Sequence, residues 1–275
     1  MELEDRVAAH YSRDNLLEAI LEAVRAAGGD PARPAEEMLA AVGEFHTRGR
    51  AATVELGQAL ALAPGEAVLD VGSGIGGPAR YLARAHGCHI TGIDLTEAYC
   101  RTATALAERL GLADRVAYRQ GSALAMPFAD AVFDAAYTQH VAMNIADKPR
   151  LYAEIARVLK PGGRFGLYDL LQGPGGAPHY PVPWARDAGT SFLVTPEALR
   201  PMLETTGFEI LSWRDTAPEA RAWLAELRER QQRGETLASP LPTLLGADFP
   251  SIARNLARNI EESRVVPTQV ICRRR

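Results

Sequence analysis

The sequence has 275 residues, a formal net charge of −4 and 47% hydrophobic residues, so it is long enough to bury a sizeable core. It contains neither a basic block nor an apolar run of transmembrane length, which argues against nucleic-acid and membrane partners. The cysteines lie far apart at positions 88, 100 and 272, so neither a disulfide framework nor a metal site is predicted. The start, Met1–Asp5, is acidic where a secretory signal would be basic, and we expect a cytoplasmic protein.

Helical periodicity dominates the amino-terminal part of the chain. Apolar residues recur at i, i+3 and i+4 spacing over residues 3–27, which predicts one helix ended by Gly28–Pro31. A short second helix is predicted from Pro34 to Val42, and a third from Ala51 to Leu62. We expect residues 1–50 to form a helical cap on a domain that spans residues 51–275.

From Glu66 onward, predicted strands alternate with predicted helices, which is the pattern of a doubly wound parallel sheet. Strands are predicted at residues 68–71, 88–94, 116–119, 133–137, 164–169, 208–215 and 265–272. The stretch from Leu170 to Phe192 is rich in glycine and proline and is too long for an ordinary connection, so we predict a functional insertion, a lid, around residues 170–192.

The first predicted strand ends in an acid and a glycine-rich loop. The spacing Gly72-x-Gly74-x-x-Gly77 by itself also fits a dinucleotide-binding loop or an ordinary strand–turn–helix packed through glycines. Asp70 argues against a dinucleotide, because a carboxylate at this strand end would repel a pyrophosphate bound at the following helix. Asp70 instead suits a ligand with an ammonium and a sulfonium group and no phosphate, namely S-adenosylmethionine.

The stretch Val-Leu-Asp-Val-Gly-Ser-Gly-Ile-Gly-Gly at residues 68–77 resembles the first motif of class I S-adenosylmethionine-dependent methyltransferases. The turn Val-Leu-Lys-Pro-Gly-Gly at residues 158–163 is also typical of that family. Together with the strand pattern, the resemblance implies an α/β, Rossmann-like fold: a doubly wound, seven-stranded, mostly parallel sheet with helices on both faces, an antiparallel last strand and the helical cap. In such enzymes the acid and the loop hold the methionine part of the cofactor, which implies a role for Asp70, Gly72, Ser73, Gly74 and, less directly, Gly76.

A second acid, Asp94, ends the second predicted strand about 20 residues beyond the glycines, the spacing at which ribose is recognised. A carboxylate offers two acceptor oxygens to the two ribose hydroxyls. The resemblance places Leu95 on the adenine face. After the third strand the family often has an aspartate that binds the adenine amino group. Here Ser122 and Ala123 follow Gly121, so Ser122 is either a weaker, uncharged acceptor or only a turn residue.

The loop Thr138–Asn144 lies where the family closes over the methionine carboxylate and the methyl group. Gln139 is therefore predicted to contact the cofactor. His140 is predicted to touch the cofactor or to act on the acceptor, with capping of the strand end as an equal alternative.

Residues that could bind the methyl acceptor or act on it are predicted from the side-chain chemistry of segments expected near the mouth of the site. The candidates for proton transfer are His140, Tyr11 and His46, and those for a substrate pocket are Tyr168, His179, Tyr180 and Trp184. Simple packing is the alternative for each of them. Aromatic faces stabilise a cationic acceptor, so an amine is favoured over a hydroxyl or a carbon.

The predicted function is transfer of a methyl group from S-adenosylmethionine to a small molecule by in-line displacement, with S-adenosylhomocysteine as product. The whole sequence resembles the small-molecule branch, near sarcosine and dimethylglycine, tocopherol-type and sugar methyltransferases. The alternatives are a nicotinamide-dependent oxidoreductase and a non-catalytic protein that keeps the cofactor for structure. The acceptor and the oligomeric state stay open at this point.

Overall fold

The computed structural model describes residues 3–11, 15–234 and 248–275, without the side chains of residues 41 and 42. It contains one seven-stranded sheet with the order β3-β2-β1-β4-β5-β7-β6. The strands are β1 Ala67–Val71, β2 His89–Asp94, β3 Val116–Gln120, β4 Phe133–Gln139, β5 Leu159–Gln172, β6 Phe208–Asp215 and β7 Val265–Arg274. The pairs among β1 to β5 are parallel, whereas β7 runs antiparallel to both β5 and β6. The predicted fold class is confirmed.

Helices before, between and after the strands surround this sheet and cover both of its faces. They are α1 Leu3–Tyr11, α2 Leu16–Ala26, α3 Glu36–Gly43, α4 Arg50–Ala59, α5 Gly77–His86, α6 Glu97–Arg109, α7 Lys148–Val158, α8 Pro196–Thr205, α9 Ala217–Gln232 and α10 Phe249–Glu261. Alternation along β1 shows the two faces, because successive strand side chains point to opposite sides. Leu69 packs in the core under α7 and α8, whereas Val68 packs in the core under α4 and α5.

The strand order reverses at β1, which has β2 on one side and β4 on the other. The chain therefore leaves β1 in one direction and β4 in the other, and a crevice opens between their carboxyl ends. Ligands of open α/β sheets bind in such a crevice. Asp70 and Asp94 stand at the ends of β1 and β2, so this topology brings the two predicted acids to one edge of the sheet.

The amino-terminal helices differ from the prediction in one respect. Residues 3–27 were expected to form one helix, but α1 and α2 are separate, and Asn15 before α2 has a left-handed backbone with φ of 59°. The apolar face of α2 and α3 packs against Ile75 and α6 through Leu16, Ile20, Val24 and Leu39. These two helices are therefore part of the hydrophobic core, and α1 is the part of the predicted cap that lies over the cavity described below.

The segment that follows β5 folds back over the same sheet edge. The Asn144 side-chain amide donates to the carbonyls of Trp184 and Thr190 at 2.8 and 2.9 Å. The buried Lys148 ammonium donates to the carbonyls of Ala142 and Phe192, which ties the segment to the loop after β4. No helix in the described ranges has the length and apolar character needed to cross a membrane.

Candidate functional site

A cavity of about 850 Å³ lies at the carboxyl ends of β1, β2 and β4. Its wall includes Asp70, Gly72, Ser73, Gly74, Asp94, Leu95, Ala123 and Gln139 among the residues predicted to hold the cofactor, and Tyr11, His46, His140 and Trp184 among those predicted to act on the acceptor. The structure thus brings twelve predicted residues from distant parts of the sequence to one cavity. Their individual roles remain predictions.

The glycine loop turns sharply at the mouth of β1. Gly72 has φ of 77°, and a Cβ atom there would lie 2.4 Å from the Val141 side chain, so the two loops approach too closely for any side chain. Gly76 has φ of 76° and is outside the cavity wall. A Cβ at Gly76 would meet the Tyr118 hydroxyl at 2.2 Å, so this glycine serves packing between the loop and β3.

Asp70 has the electrostatic character expected of a cation site. The residue is only 2% exposed, and its Oδ2 atom has no hydrogen-bond partner among the described residues. Burial raises the pKa of the Asp70 carboxyl to about 8; the neighbouring Tyr137 hydroxyl opposes this shift, and the charges of Asp94 and Glu44 add to it. A buried carboxylate is unfavourable unless a positive group compensates its charge. The ammonium and sulfonium groups of S-adenosylmethionine fit this requirement, and a pyrophosphate does not.

Asp94 is held in a fixed orientation by the backbone. The Gly74 N–H donates to its Oδ2 and the Thr96 N–H donates to its Oδ1, both at 2.8 Å. Desolvation raises the pKa of Asp94, whereas these two hydrogen bonds lower it. Each carboxylate oxygen keeps accepting capacity, because an ionised carboxylate has about four acceptor positions. The site thus fits a ribose with two adjacent hydroxyls.

Ser122 differs from its predicted arrangement. It does not line the cavity, and its hydroxyl donates to the carboxylate of Glu4 on α1 while its oxygen accepts from the Leu124 N–H at 3.1 Å. Glu4 itself lines the cavity. The sequence interpretation considered Ser122 alone, because nothing in the local pattern indicates that a residue 118 positions away would reach it.

A buried polar cluster lies beneath the loop that precedes α4. The Nε2 atom of His46 is 3.0 Å from the Gly49 carbonyl oxygen and 3.1 Å from the Gln139 side-chain nitrogen. The Glu44 carboxylate lies 3.4 Å from the same ring and accepts from the Arg50 Nε at 2.7 Å. Burial lowers the pKa of His46, although Glu44 opposes this shift, so the imidazole is neutral at physiological pH.

His140 stands directly after β4 with φ of 55°, a strained backbone for a residue other than glycine. Its ring stacks on Tyr168 at a centroid distance of 5.3 Å, and its Nε2 atom is 3.3 Å from the Thr47 hydroxyl. That hydroxyl is 2.8 Å from the Tyr168 hydroxyl. Burial, followed by the nearby His46, holds the pKa of His140 well below its usual value. His140 therefore presents a neutral imidazole to the cavity.

Three of the four residues predicted for a substrate pocket do not line the cavity: His179 and Tyr180 lie outside it, and Tyr168 lies behind its wall. The ring of His179 is 3.0 Å from the Glu262 carboxylate. Its backbone N–H donates to the Asn259 side chain and its carbonyl accepts from it, so His179 anchors the segment after β5 to α10, outside the cavity. Tyr180 packs on the cluster of Met143 and Trp184 and does not line the cavity. Tyr168 supports His140 from behind and is also absent from the wall.

The carboxyl-terminal helices supply a wall that the sequence interpretation missed. α9 contributes Trp223, Leu224 and Leu227, and α10 contributes Ile252 and Leu256. These side chains recur at helical i, i+3 and i+4 spacing, and this periodicity was the only local pattern in the sequence that marked them. The pattern predicts a buried helix face, but periodicity alone does not reveal whether that face covers the sheet or a ligand cavity.

Residues 69–167 match a family model described as "Methyltransferase domain". A sterol 24-C-methyltransferase of Gibberella zeae is 32% identical over 225 residues, which are 77% of this chain and 58% of that protein. The chain spans less than two thirds of the length of the curated relatives it matches.

Two solved structures show the same fold at 20% identity. The geranyl diphosphate C-methyltransferase of Streptomyces coelicolor, solved with S-adenosylhomocysteine, has a TM-score of 0.68 over 82% of this chain and 76% of its own. The phosphoethanolamine N-methyltransferase 2 of Haemonchus contortus, solved with S-adenosylmethionine, has a TM-score of 0.74 over 100% of this chain and 60% of its own.

We predict that Asp70 releases a proton when the cofactor binds. Below its pKa of about 8 the free protein holds Asp70 protonated, whereas a bound cation requires the carboxylate. Affinity for S-adenosylmethionine should therefore rise with pH and level off above that pKa. At about pH 7, calorimetry in phosphate and Tris buffers should show release of about one proton. Asp70→Asn should bind more weakly and release none, and equal heats in both buffers for the unchanged protein would contradict the prediction.

We also predict that Asp94→Ala lowers affinity for S-adenosylhomocysteine by about 1.5–3 kcal/mol, because a charge-assisted contact to ribose is lost. Titration calorimetry measures the change, and thermal unfolding verifies that the variant is folded. The exposed Asp114 provides the matched control, since Asp114→Ala removes a carboxylate that is not part of the cavity wall. An unchanged dissociation constant in folded Asp94→Ala would remove Asp94 from the site.

Proposed function

We propose that this chain, which belongs to the class I S-adenosylmethionine-dependent methyltransferases, methylates a largely apolar small molecule at a hydroxyl oxygen or an alkene carbon. Membership of that family accounts for the cofactor and leaves no role for a nicotinamide. The observation that carries the proposal is the apolar wall that α9, α10 and the lid build opposite the cofactor edge of the sheet.

The cavity is large enough for more than one ligand. Its volume of about 850 Å³ is near the upper end of the roughly 300–1,000 Å³ of small-molecule sites. Asp70 and Asp94 mark the cofactor part. The remaining part is walled by Met143, Leu170 and Trp184 together with the apolar residues of α9 and α10. Burial of apolar surface would be the main favourable term for an acceptor there.

The relatives support the same chemical class. One is named for a sterol and one solved neighbour for geranyl diphosphate, both of which have extended hydrocarbon parts. The chain covers only 58% of the sterol enzyme, so the proposal is limited to the class of acceptor.

S-adenosylmethionine supplies, when bound, a methyl group already activated by a positive sulfonium. The contribution of the protein is alignment, exclusion of water and acceptance of the proton that an oxygen or carbon nucleophile must lose. His140 is the candidate base, because its imidazole is neutral and lines the cavity at the end of β4. The ring of His140 lies 5.9 Å from that of His46, whose own partner is the Glu44 carboxylate at 3.4 Å.

Tyr11 has a different proposed role from His140. Its hydroxyl donates to Asn144 Oδ1 at 2.9 Å, and burial raises the pKa of Tyr11, so it stays a phenol. His10 on the same helix lies 3.0 Å from the Pro183 carbonyl oxygen. These contacts close α1 over the cavity against the lid, which would keep water from the activated methyl group. Tyr11 thus closes the site and does not take the proton.

An amine acceptor is the second candidate. Aromatic side chains at the cavity, including Phe45, Tyr99 and Trp184, suit a substrate that becomes cationic. The solved neighbour named as an N-methyltransferase supports this candidate at the level of fold. A cationic product would need a free carboxylate beside it, and Glu44 is less suited to that role because it already accepts hydrogen bonds from Arg50 and from the Thr53 hydroxyl.

The test is incubation of the protein with methyl-labelled S-adenosylmethionine and three panels of compounds: isoprenoid and sterol alcohols or alkenes, phenols with apolar bodies, and amines with apolar bodies. We expect label in an organic extract of the first two panels, with S-adenosylhomocysteine formed in equal amount. Label only in the amine panel would replace the proposal with the second candidate. Binding of S-adenosylhomocysteine without any labelled product would favour a non-catalytic protein.

With an acceptor from that screen, His140→Asn should lower the turnover rate by about 10²–10⁴-fold, the usual contribution of a general base. Asparagine is chosen because it tolerates the left-handed backbone at this position. Affinity for S-adenosylhomocysteine should change by less than about twofold, since the interaction with the proton arises only in the transition state. His89→Asn at an exposed site on β2 is the matched control. Full activity of His140→Asn would exclude His140 as the base.

A further inference from the structure

The cofactor has a fixed order of parts, and the sheet edge has a matching order of groups. If Asp70 at β1 meets the positive groups and Asp94 at β2 meets the ribose, the adenine, on the far side of the ribose, would lie toward β3. Neighbouring strands lie roughly 4.8 Å apart, which is a suitable step between adjoining parts of a nucleoside. The cavity wall at this end consists of Leu95, Gly121, Ala123, Leu124 and the α1 residues Leu3 and Glu4.

An adenine has two apolar faces and one edge with an amino group that donates hydrogen bonds. Leu95 and Ala123 provide apolar surface for the faces. The amino group on the adenine edge requires a hydrogen-bond acceptor. Ser122 is poorly suited to this role, because its hydroxyl oxygen already accepts from the Leu124 N–H and its O–H donates to Glu4. The carboxylate of Glu4 has two acceptor oxygens, of which only Oε1 is engaged by Ser122.

We propose that Glu4 accepts a hydrogen bond from the exocyclic amino group of the cofactor's adenine, with Ser122 as the residue that positions the Glu4 carboxylate. The inference rests on the use of S-adenosylmethionine in the proposed function and adds a specificity-determining residue to it. The acceptor comes from α1 rather than from the loop after β3.

The arrangement links recognition of the base to closure of the site. α1 meets the adenine end through Glu4 and the lid end through Tyr11, which donates to Asn144, and His10, which lies against Pro183. A nucleoside without the amino group would therefore lose one of the contacts that hold α1 over the acceptor.

The experiment compares S-adenosylhomocysteine with S-inosylhomocysteine, in which a carbonyl oxygen replaces the amino group and the adjacent N1 carries a hydrogen. A carboxylate repels that oxygen, so the unchanged protein should bind the adenine form at least about tenfold more tightly. Glu4→Gln should weaken binding of the adenine form by about tenfold. It should also bring the dissociation constants of the two nucleosides to within about threefold of each other, because an amide can donate to the carbonyl as well as accept from the amine. Titration calorimetry with each nucleoside measures the two dissociation constants and hence their ratio.

Glu18→Gln, at an exposed position of α2, is the matched control and should leave both dissociation constants unchanged. Ser122→Ala should weaken binding of the adenine form while the preference over the inosine form persists, since the carboxylate remains. A ratio in Glu4→Gln equal to that of the unchanged protein would overturn the assignment of Glu4. Failure of the unchanged protein to bind either nucleoside would instead overturn the use of the cofactor, and the assignment with it.

Discussion

A carboxylate buried at the end of β1 without a hydrogen-bond partner for Oδ2 sets the electrostatics of the whole site. Its pKa of about 8 reflects the free-energy penalty of an uncompensated charge in the interior. A bound cation would relieve that penalty and a phosphate would increase it, so the environment of Asp70 suits a cationic ligand. The glycine loop that follows can only serve a ligand compatible with this charge.

The sheet topology places the remaining groups around that carboxylate. Because the strand order reverses between β2 and β4, the ends of β1, β2 and β4 open on one crevice, with Asp70, Asp94 and His140 at its edge. The segments that close the crevice come from three distant parts of the chain, namely α1, the lid after β5, and the α9 and α10 pair. Closure by mainly apolar surfaces strengthens electrostatic interactions inside the cavity and removes competing water. The acidic strand ends and the apolar closing surfaces therefore lie in one cavity.

The sequence patterns succeeded where the relevant physics is local. The apolar residues of β1, the glycine spacing and the two acidic strand ends each lie within a few residues, so Asp70 and Asp94 could be predicted to stand together. The boundary errors have equally local causes. Helical periodicity continued through residues 3–27, but the left-handed backbone at Asn15 separates α1 from α2, and periodicity carries no information about that residue's φ angle. His179 was selected for its chemistry, whereas Glu262 and Asn259 hold it outside the cavity.

The amino-acid sequence by itself determined the fold class and which two acids stand at the sheet edge, because hydrophobic period, glycine positions and strand-end acids are properties of neighbouring residues. Tertiary structure alone decided which groups share the cavity. The contact of Glu4 with Ser122 spans 118 positions and that of Tyr11 with Asn144 spans 133, and no local pattern encodes either. It also decided that α9 and α10 turn an apolar face to the cavity, since an amphipathic helix must bury that face but its sequence does not specify against what.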